Sequence, residues 1–111
     1  MAINFRNYRQ TTTVDDSGTT IVGNPVQLLT GASNGTVVKT LEIISGDSSS
    51  ILHIIRKDAA DNIYADIKVD LKANDYLILW EGFFLIPYQH KLIISADSND
   101  VNVVANVIEM T

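Results

Sequence analysis

From residue 26 onward the chain alternates short runs of β-branched and aliphatic residues with clusters of Gly, Asn, Asp, Ser and Pro. That pattern predicts strands joined by turns. Val26–Thr30 ends at Gly31-Ala32-Ser33-Asn34-Gly35, where Asn34-Gly35 supplies the left-handed geometry that tight hairpins prefer. Thr36–Ile44 then alternates, with Val37, Lys39, Leu41 and Ile43 on one side and Val38, Thr40, Glu42 and Ile44 on the other. Residues 51–57 and 63–70 flank Asp58-Ala59-Ala60-Asp61-Asn62 as a hairpin. In its second arm Ile63, Ala65, Ile67 and Val69 are expected to face inward, and Tyr64, Asp66, Lys68 and Asp70 outward.

The last third is denser in apolar residues. It predicts strands at 76–80, 83–86, Lys91–Ala96 and 101–109, separated by Glu81-Gly82, Pro87-Tyr88-Gln89-His90 and Asp97-Ser98-Asn99-Asp100. No stretch has a helical period. The expected fold is all-β, an antiparallel β-sandwich (jelly-roll or Ig-like) of roughly seven to eight short strands. Residues 1–24, polar and rich in hydroxyls and amides, read as an extended amino-terminal arm or edge strand, and 25–111 as the β-sandwich domain. Several predicted strands place large apolar residues on both sides: Val37-Val38, Ile43-Ile44, Ile54-Ile55, Leu77 to Trp80, Phe83 to Ile86 and Ile93-Ile94. A small two-sheet domain normally wets one side of each sheet, so association between copies is the expected cover for the surplus.

Composition sharpens this by exclusion. The chain has 111 residues, 46% of them hydrophobic and 19% charged, enough to bury one core and too short for two. Cysteine is absent, which removes disulfides, thiolate metal sites and Cys nucleophiles together. Eight Lys and Arg against thirteen Asp and Glu leave a net charge of -5, the wrong sign for tracking a phosphate backbone. No nucleic-acid partner is expected. The amino terminus lacks a basic stretch followed by an apolar run, so no secretory route is indicated. The apolar run near residue 80 is split by Glu81-Gly82 and falls short of the ~20 residues that span a bilayer, so no membrane partner is expected either.

Candidate chemistry is sparse. His53 and His90 have no second ligand at metal spacing and read as hydrogen-bonded structural residues. Gly46-Asp47-Ser48 lacks the strand-to-helix setting of a nucleophile elbow and reads as a serine-rich loop. Asp97, Asn99 and Asp100 lack the Gly and Glu of a calcium loop, and Asp15-Asp16 and Asp58 with Asp61 carry no stronger signal. No catalytic residue, metal or cofactor is expected. The aromatic residues Tyr76, Trp80, Phe83, Phe84 and Tyr88 fall within a short span. They read as core or interface anchors, with a sugar-stacking platform of Trp80 or Tyr88 beside Asn99 or Asp97 as the alternative.

The segment from Ala73-Asn74-Asp75-Tyr76-Leu77-Ile78-Leu79-Trp80-Glu81-Gly82-Phe83-Phe84-Leu85-Ile86-Pro87 through Lys91-Leu92-Ile93-Ile94-Ser95-Ala96-Asp97 to the Val-rich end resembles the carboxyl half of small β-sandwich virion proteins of tailed bacteriophages. Gly35-Thr36-Val37-Val38-Lys39-Thr40-Leu41-Glu42-Ile43-Ile44 and the run 51–56 resemble their front sheet. The resemblance implies a non-enzymatic virion structural protein, a capsid decoration or cement subunit, located in the virion. It implies contacts with itself, as a homotrimer, and with other virion proteins such as the major capsid protein. The alternatives are a neck, tail or fibre-attachment component, or a carbohydrate-binding β-sandwich module with a glycan partner. Under this reading Leu79, Trp80, Phe83, Phe84 and Ile86 are core or interface anchors, and Phe5, Arg6, Tyr8 and Arg9 belong to an arm contacting a neighbour. The arm, residues 1–20, is expected to be dispensable for folding.

Overall fold

A computed structural model of the chain describes residues 1–12, 26–79, 84–97 and 100–111. These residues form nine strands and no helix: β1 (Ile3–Thr11), β2 (Val26–Thr30), β3 (Thr36–Ile44), β4 (Ser50–Lys57), β5 (Ile63–Leu71), β6 (Tyr76–Leu79), β7 (Phe84–Ile86), β8 (Lys91–Ala96) and β9 (Asn102–Met110). The predicted strands from Val26 onward are all present within a residue or two of their expected ends, and β1 is added to them. All pairings are antiparallel.

The pairing is nested from the outside of the chain inward. β1 pairs with β9, β2 with β8, β3 with both β6 and β7, and β4 with β5. Two further pairings, β3 with β9 and β4 with β8, join these pairs into sheets ordered β1-β9-β3-β6, with β7 also on β3, and β2-β8-β4-β5. Such a folded-over double strand is the jelly-roll form of the sandwich. Its core lies between the sheets. Val38, Ile43, Val103 and Val107 from the first meet Leu52, Ile54, Leu92 and Ile94 from the second, each at most 2% exposed.

Two bulges change the expected sidedness. In β3 the register against β9 shifts between Val38 and Thr40, so Lys39 is an extra residue and the alternation restarts after it. Val38, Leu41 and Ile43 therefore share the buried side, and Val37 and Lys39 are left on the other. In β5 the shift opposite Arg56 and Lys57 leaves Tyr64 as the extra residue, which turns Ile63 away from Ala65, Ile67 and Val69. Ile67 keeps its inward direction yet is half exposed, because β5 is an edge strand reaching beyond the opposite sheet.

The amino-terminal segment through Thr11 is integral to the first sheet, paired with β9 in continuous register from Ile3 opposite Met110 to Thr11 opposite Asn102. Arg6 and Tyr8 point inward, and both meet Glu109: the Arg6 guanidinium lies 3.0 Å from its Oε2, and the Tyr8 hydroxyl donates to its Oε1. Buried Thr12 closes the strand, donating from its amide to the Val101 carbonyl at 2.9 Å. The rest of the predicted arm, from residue 13, lies outside the described residues.

Gly31 marks a close crossing of two loops. Its amide donates to the His90 carbonyl at 2.8 Å, and a Cβ on it would stand 1.9 Å from the Pro87 carbonyl oxygen. The Ile86 carbonyl oxygen would lie 2.7 Å away, and since these carbonyls are backbone no rotamer change relieves the contact. Gly31→Ala is expected to cost about 2–3 kcal/mol in denaturant unfolding, and a loss below ~0.5 kcal/mol would contradict this crossing.

Candidate functional site

An exposed apolar surface lies on the outer side of the first sheet. Residues opposite one another in adjacent strands point to the same side, so the register can be read as rows across the sheet. Leu85 of β7 is opposite Val37 of β3, Val37 is opposite Ile108 of β9, and Ile108 is opposite Phe5 of β1. These four residues form an unbroken apolar row, flanked by Ile3 opposite Met110. Phe5 is 71% exposed, Ile3 61% and Leu85 47%. Lys39, displaced by its bulge, places its Nζ 5.6 Å from the centre of the Phe5 ring.

The next row is polar: Asn7 is opposite Asn106, which is opposite Thr40. The Asn106 amide donates to the Thr40 hydroxyl at 2.8 Å, filling one of its hydrogen-bonding positions within the sheet. Beyond it run Arg9, Val104, Glu42 and Ile78, and then Thr11, Asn102, Ile44 and Tyr76. The Tyr76 hydroxyl donates to the Glu42 carboxylate at 2.7 Å, which raises the tyrosine's pKa above its usual value. In the second sheet the outward positions Ile55, Ile93 and Ser95 are at most 8% exposed, whereas Ile63 of β5 is 60% exposed.

The candidate residues separate by strand parity. Phe5 and Arg9 lie on the outer face, whereas Arg6 and Tyr8 point inward to Glu109. Ile86 is fully buried in the core. Leu79 and Phe84 are half buried and line, with Leu41, Ile54, Arg56 and Ile67, a cleft of about 260 Å³ between the sheets. Trp80 and Phe83 lie outside the described residues. In the cleft Arg56 sits between the rings of Tyr64 and Phe84, 5.1 and 5.0 Å from their centres, and donates to the Leu85 carbonyl at 2.7 Å. Ile3, Ile108 and Met110 were not singled out in the sequence, and Val37 and Leu85 stood out only within the surplus apolar runs. Alternation hints at Ile3 and Phe5 on one side of a strand, but the row exists only once the register is known.

The polar candidates are engaged within the fold. His53 Nδ1 lies 2.9 Å from Asp66 Oδ1, and His90 Nδ1 lies 3.3 Å from the Tyr64 hydroxyl. Asp97 accepts from the Ser50 hydroxyl and the Ile51 amide, both at 2.8 Å. Asp58 accepts from the amides of Asn62 and Ala60; the Asn62 hydrogen bond leads in holding its pKa below the usual carboxylate value. Asp61, in the left-handed region, is lowered chiefly by its hydrogen bond from Lys91. Among the described residues no group of three or more His, Cys, Asp or Glu could hold a metal ion. Asp15, Asp16 and Asn99 lie outside the described residues. Tyr88 is exposed, but β8 separates it in sequence from Asp97, and a six-residue strand spans roughly 20 Å. Those two residues do not form one sugar platform.

No family model matches the chain, and no curated protein matches it.

Proposed function

We propose that the protein is a non-enzymatic structural subunit of a viral particle, a capsid decoration or cement protein that works by contact with its own copies and with neighbours such as the major capsid protein. The observation that carries this reading is the apolar row Leu85, Val37, Ile108 and Phe5, with Phe5 and Leu85 open to solvent, on a sheet whose other side packs in the core. A flat, paired sheet face offers broad area and rigid spacing, which suits a contact subunit better than catalysis. The jelly-roll form is used by capsid domains as well as by lectins and cupins, so it supports the reading by analogy of fold alone.

Mass spectrometry of density-gradient-purified particles tests it. The protein is expected among the structural components at a copy number near that of the major capsid protein. A copy number lower by ten-fold or more would move it to a neck, tail or fibre position, and absence from the particle would overturn the virion reading.

A further inference from the structure

We propose that two copies of this chain pair face to face through the outer side of the first sheet, related by a two-fold axis that runs along the strands between β9 and β3. The inference rests on the contact-subunit reading and names its first partner, a second copy. An axis along the strands reverses the order of strands across the face and leaves the rows in place. β1 of one copy then lies over β6 and β7 of the other, and β9 over β3. Phe5 meets Leu85 and Ile108 meets Val37, each contact made twice, so the apolar row covers its own counterpart. In the polar row Asn106 meets Thr40.

One charge pair agrees with this axis, and Lys39, whose Nζ lies 5.6 Å from the centre of the Phe5 ring, also stays on the covered face. Arg9 and Glu42 lie in one row, on β1 and β3, with Val104 between them. Reversal brings Arg9 over Ile78, one strand spacing of ~4.8 Å from the other copy's Glu42, within reach of an arginine side chain. An axis across the strands along the Phe5 row would also cover that row, but the row lies two residues from the start of β1, so only about half of the face would overlap. A closed three-fold ring needs two different complementary patches, whereas a two-fold needs one self-complementary patch. The row from Phe5 to Leu85 is such a patch.

Three strands of nine residues at ~3.3 Å per residue, with the shorter β6 and β7 beside β3, give a footprint of roughly 20 by 30 Å. That is about 600 Å² per partner, at the lower bound of a specific interface. Sheets packed face to face cross at about 30°, so the contacts of Ile108 and Val37 near the axis are held most tightly and those at the corners diverge.

Sedimentation and light scattering on the full chain, from micromolar to millimolar, decide the matter. The expected species has twice the 12.2 kDa chain mass. Phe5→Glu and Leu85→Glu, at exposed positions, are each expected to weaken pairing about ten-fold or more while leaving the circular dichroism of the folded chain unchanged. Arg9→Glu and Glu42→Arg should each weaken it about ten-fold, and the double variant should recover most of the loss. A monomer at every concentration, a trimer, or a dimer indifferent to Phe5→Glu and Leu85→Glu would overturn the pairing. So would a partner of different sequence that takes the same face while the chain alone stays monomeric. A monomer that is nonetheless abundant in particles defeats the pairing and leaves the virion reading standing; a dimer absent from particles does the reverse.

Discussion

A chain lacking residues 1–11 is expected to melt about 10 °C or more below the full chain and to associate through the newly exposed edge of β9. Backbone terms alone do not give that result. Each ladder hydrogen bond contributes ~0.5–1.5 kcal/mol, and ordering each residue of the strand costs about 1–2 kcal/mol, so these terms largely offset one another. The balance comes from what β1 places on the inner side. Tyr8 packs against the core, and Arg6 and Tyr8 both hold the buried Glu109 carboxylate. Losing that packing and leaving Glu109 without its partners is expected to cost roughly 3 kcal/mol. Val103, Ala105 and Val107, now at most 2% exposed, would lie on a strand with one open edge. Thermal unfolding followed by circular dichroism, with light scattering for association, measures both effects. An unchanged melting temperature would show that the segment is dispensable, as its polar sequence suggests, and would contradict the β1 to β9 pairing.

Ile94→Ala is the second large effect, expected to remove about 3–5 kcal/mol of unfolding free energy. Ile94 is fully buried in β8, opposite Val26 of β2 on one side and Ile54 of β4 on the other. Neighbours held in two ladders collapse poorly into the vacated volume, which puts the cost toward the upper part of that range. A domain of this size has a total stability of about 5–15 kcal/mol, so the variant would be marginal at best. Ile78→Ala is the matched comparison. The same side chain there is 55% exposed on the outer side of the first sheet, and its loss is expected to stay within ~0.5 kcal/mol. Urea unfolding of the two variants checks the assignment of inner and outer faces, and equal losses would contradict it.

Much of the fold was legible along the chain. Val26–Thr30, Thr36–Ile44 and Lys91–Ala96 have the predicted bounds, because runs of β-branched residues ended by Gly, Asn and Asp state both where a strand can form and where it must stop. β1 was ambiguous for a physical reason. Its sequence Ile-Asn-Phe-Arg-Asn-Tyr-Arg-Gln-Thr turns Ile3 and Phe5 toward solvent and Arg6 inward, the reverse of the usual core pattern. Glu109, brought from the far end of the chain, pairs with Arg6 there, whose side chain stays 59% exposed. The bulges at Lys39 and Tyr64 were also hidden, since one extra residue leaves the composition of a strand unchanged and reverses the side of everything beyond it.

The candidate contact face divides the same way. A surplus of apolar residues on both sides of several strands was visible in the sequence, and it led to the expectation of association. Which of those residues are surplus was not visible: Ile86, grouped with the anchors, belongs to the core, while Leu85 beside it is exposed. By itself the sequence determined an all-β chain of short strands, its turns, the absence of cysteine chemistry and the excess of apolar side chains. The tertiary structure alone decided the nested pairing, and with it the row of Phe5, Ile108, Val37 and Leu85, drawn from strands at both ends and the middle of the chain. Alternation of period two assigns each residue a side of its strand, but it says nothing of which strand lies alongside or in what register. Those are set by the closing of one core, a property of the whole chain.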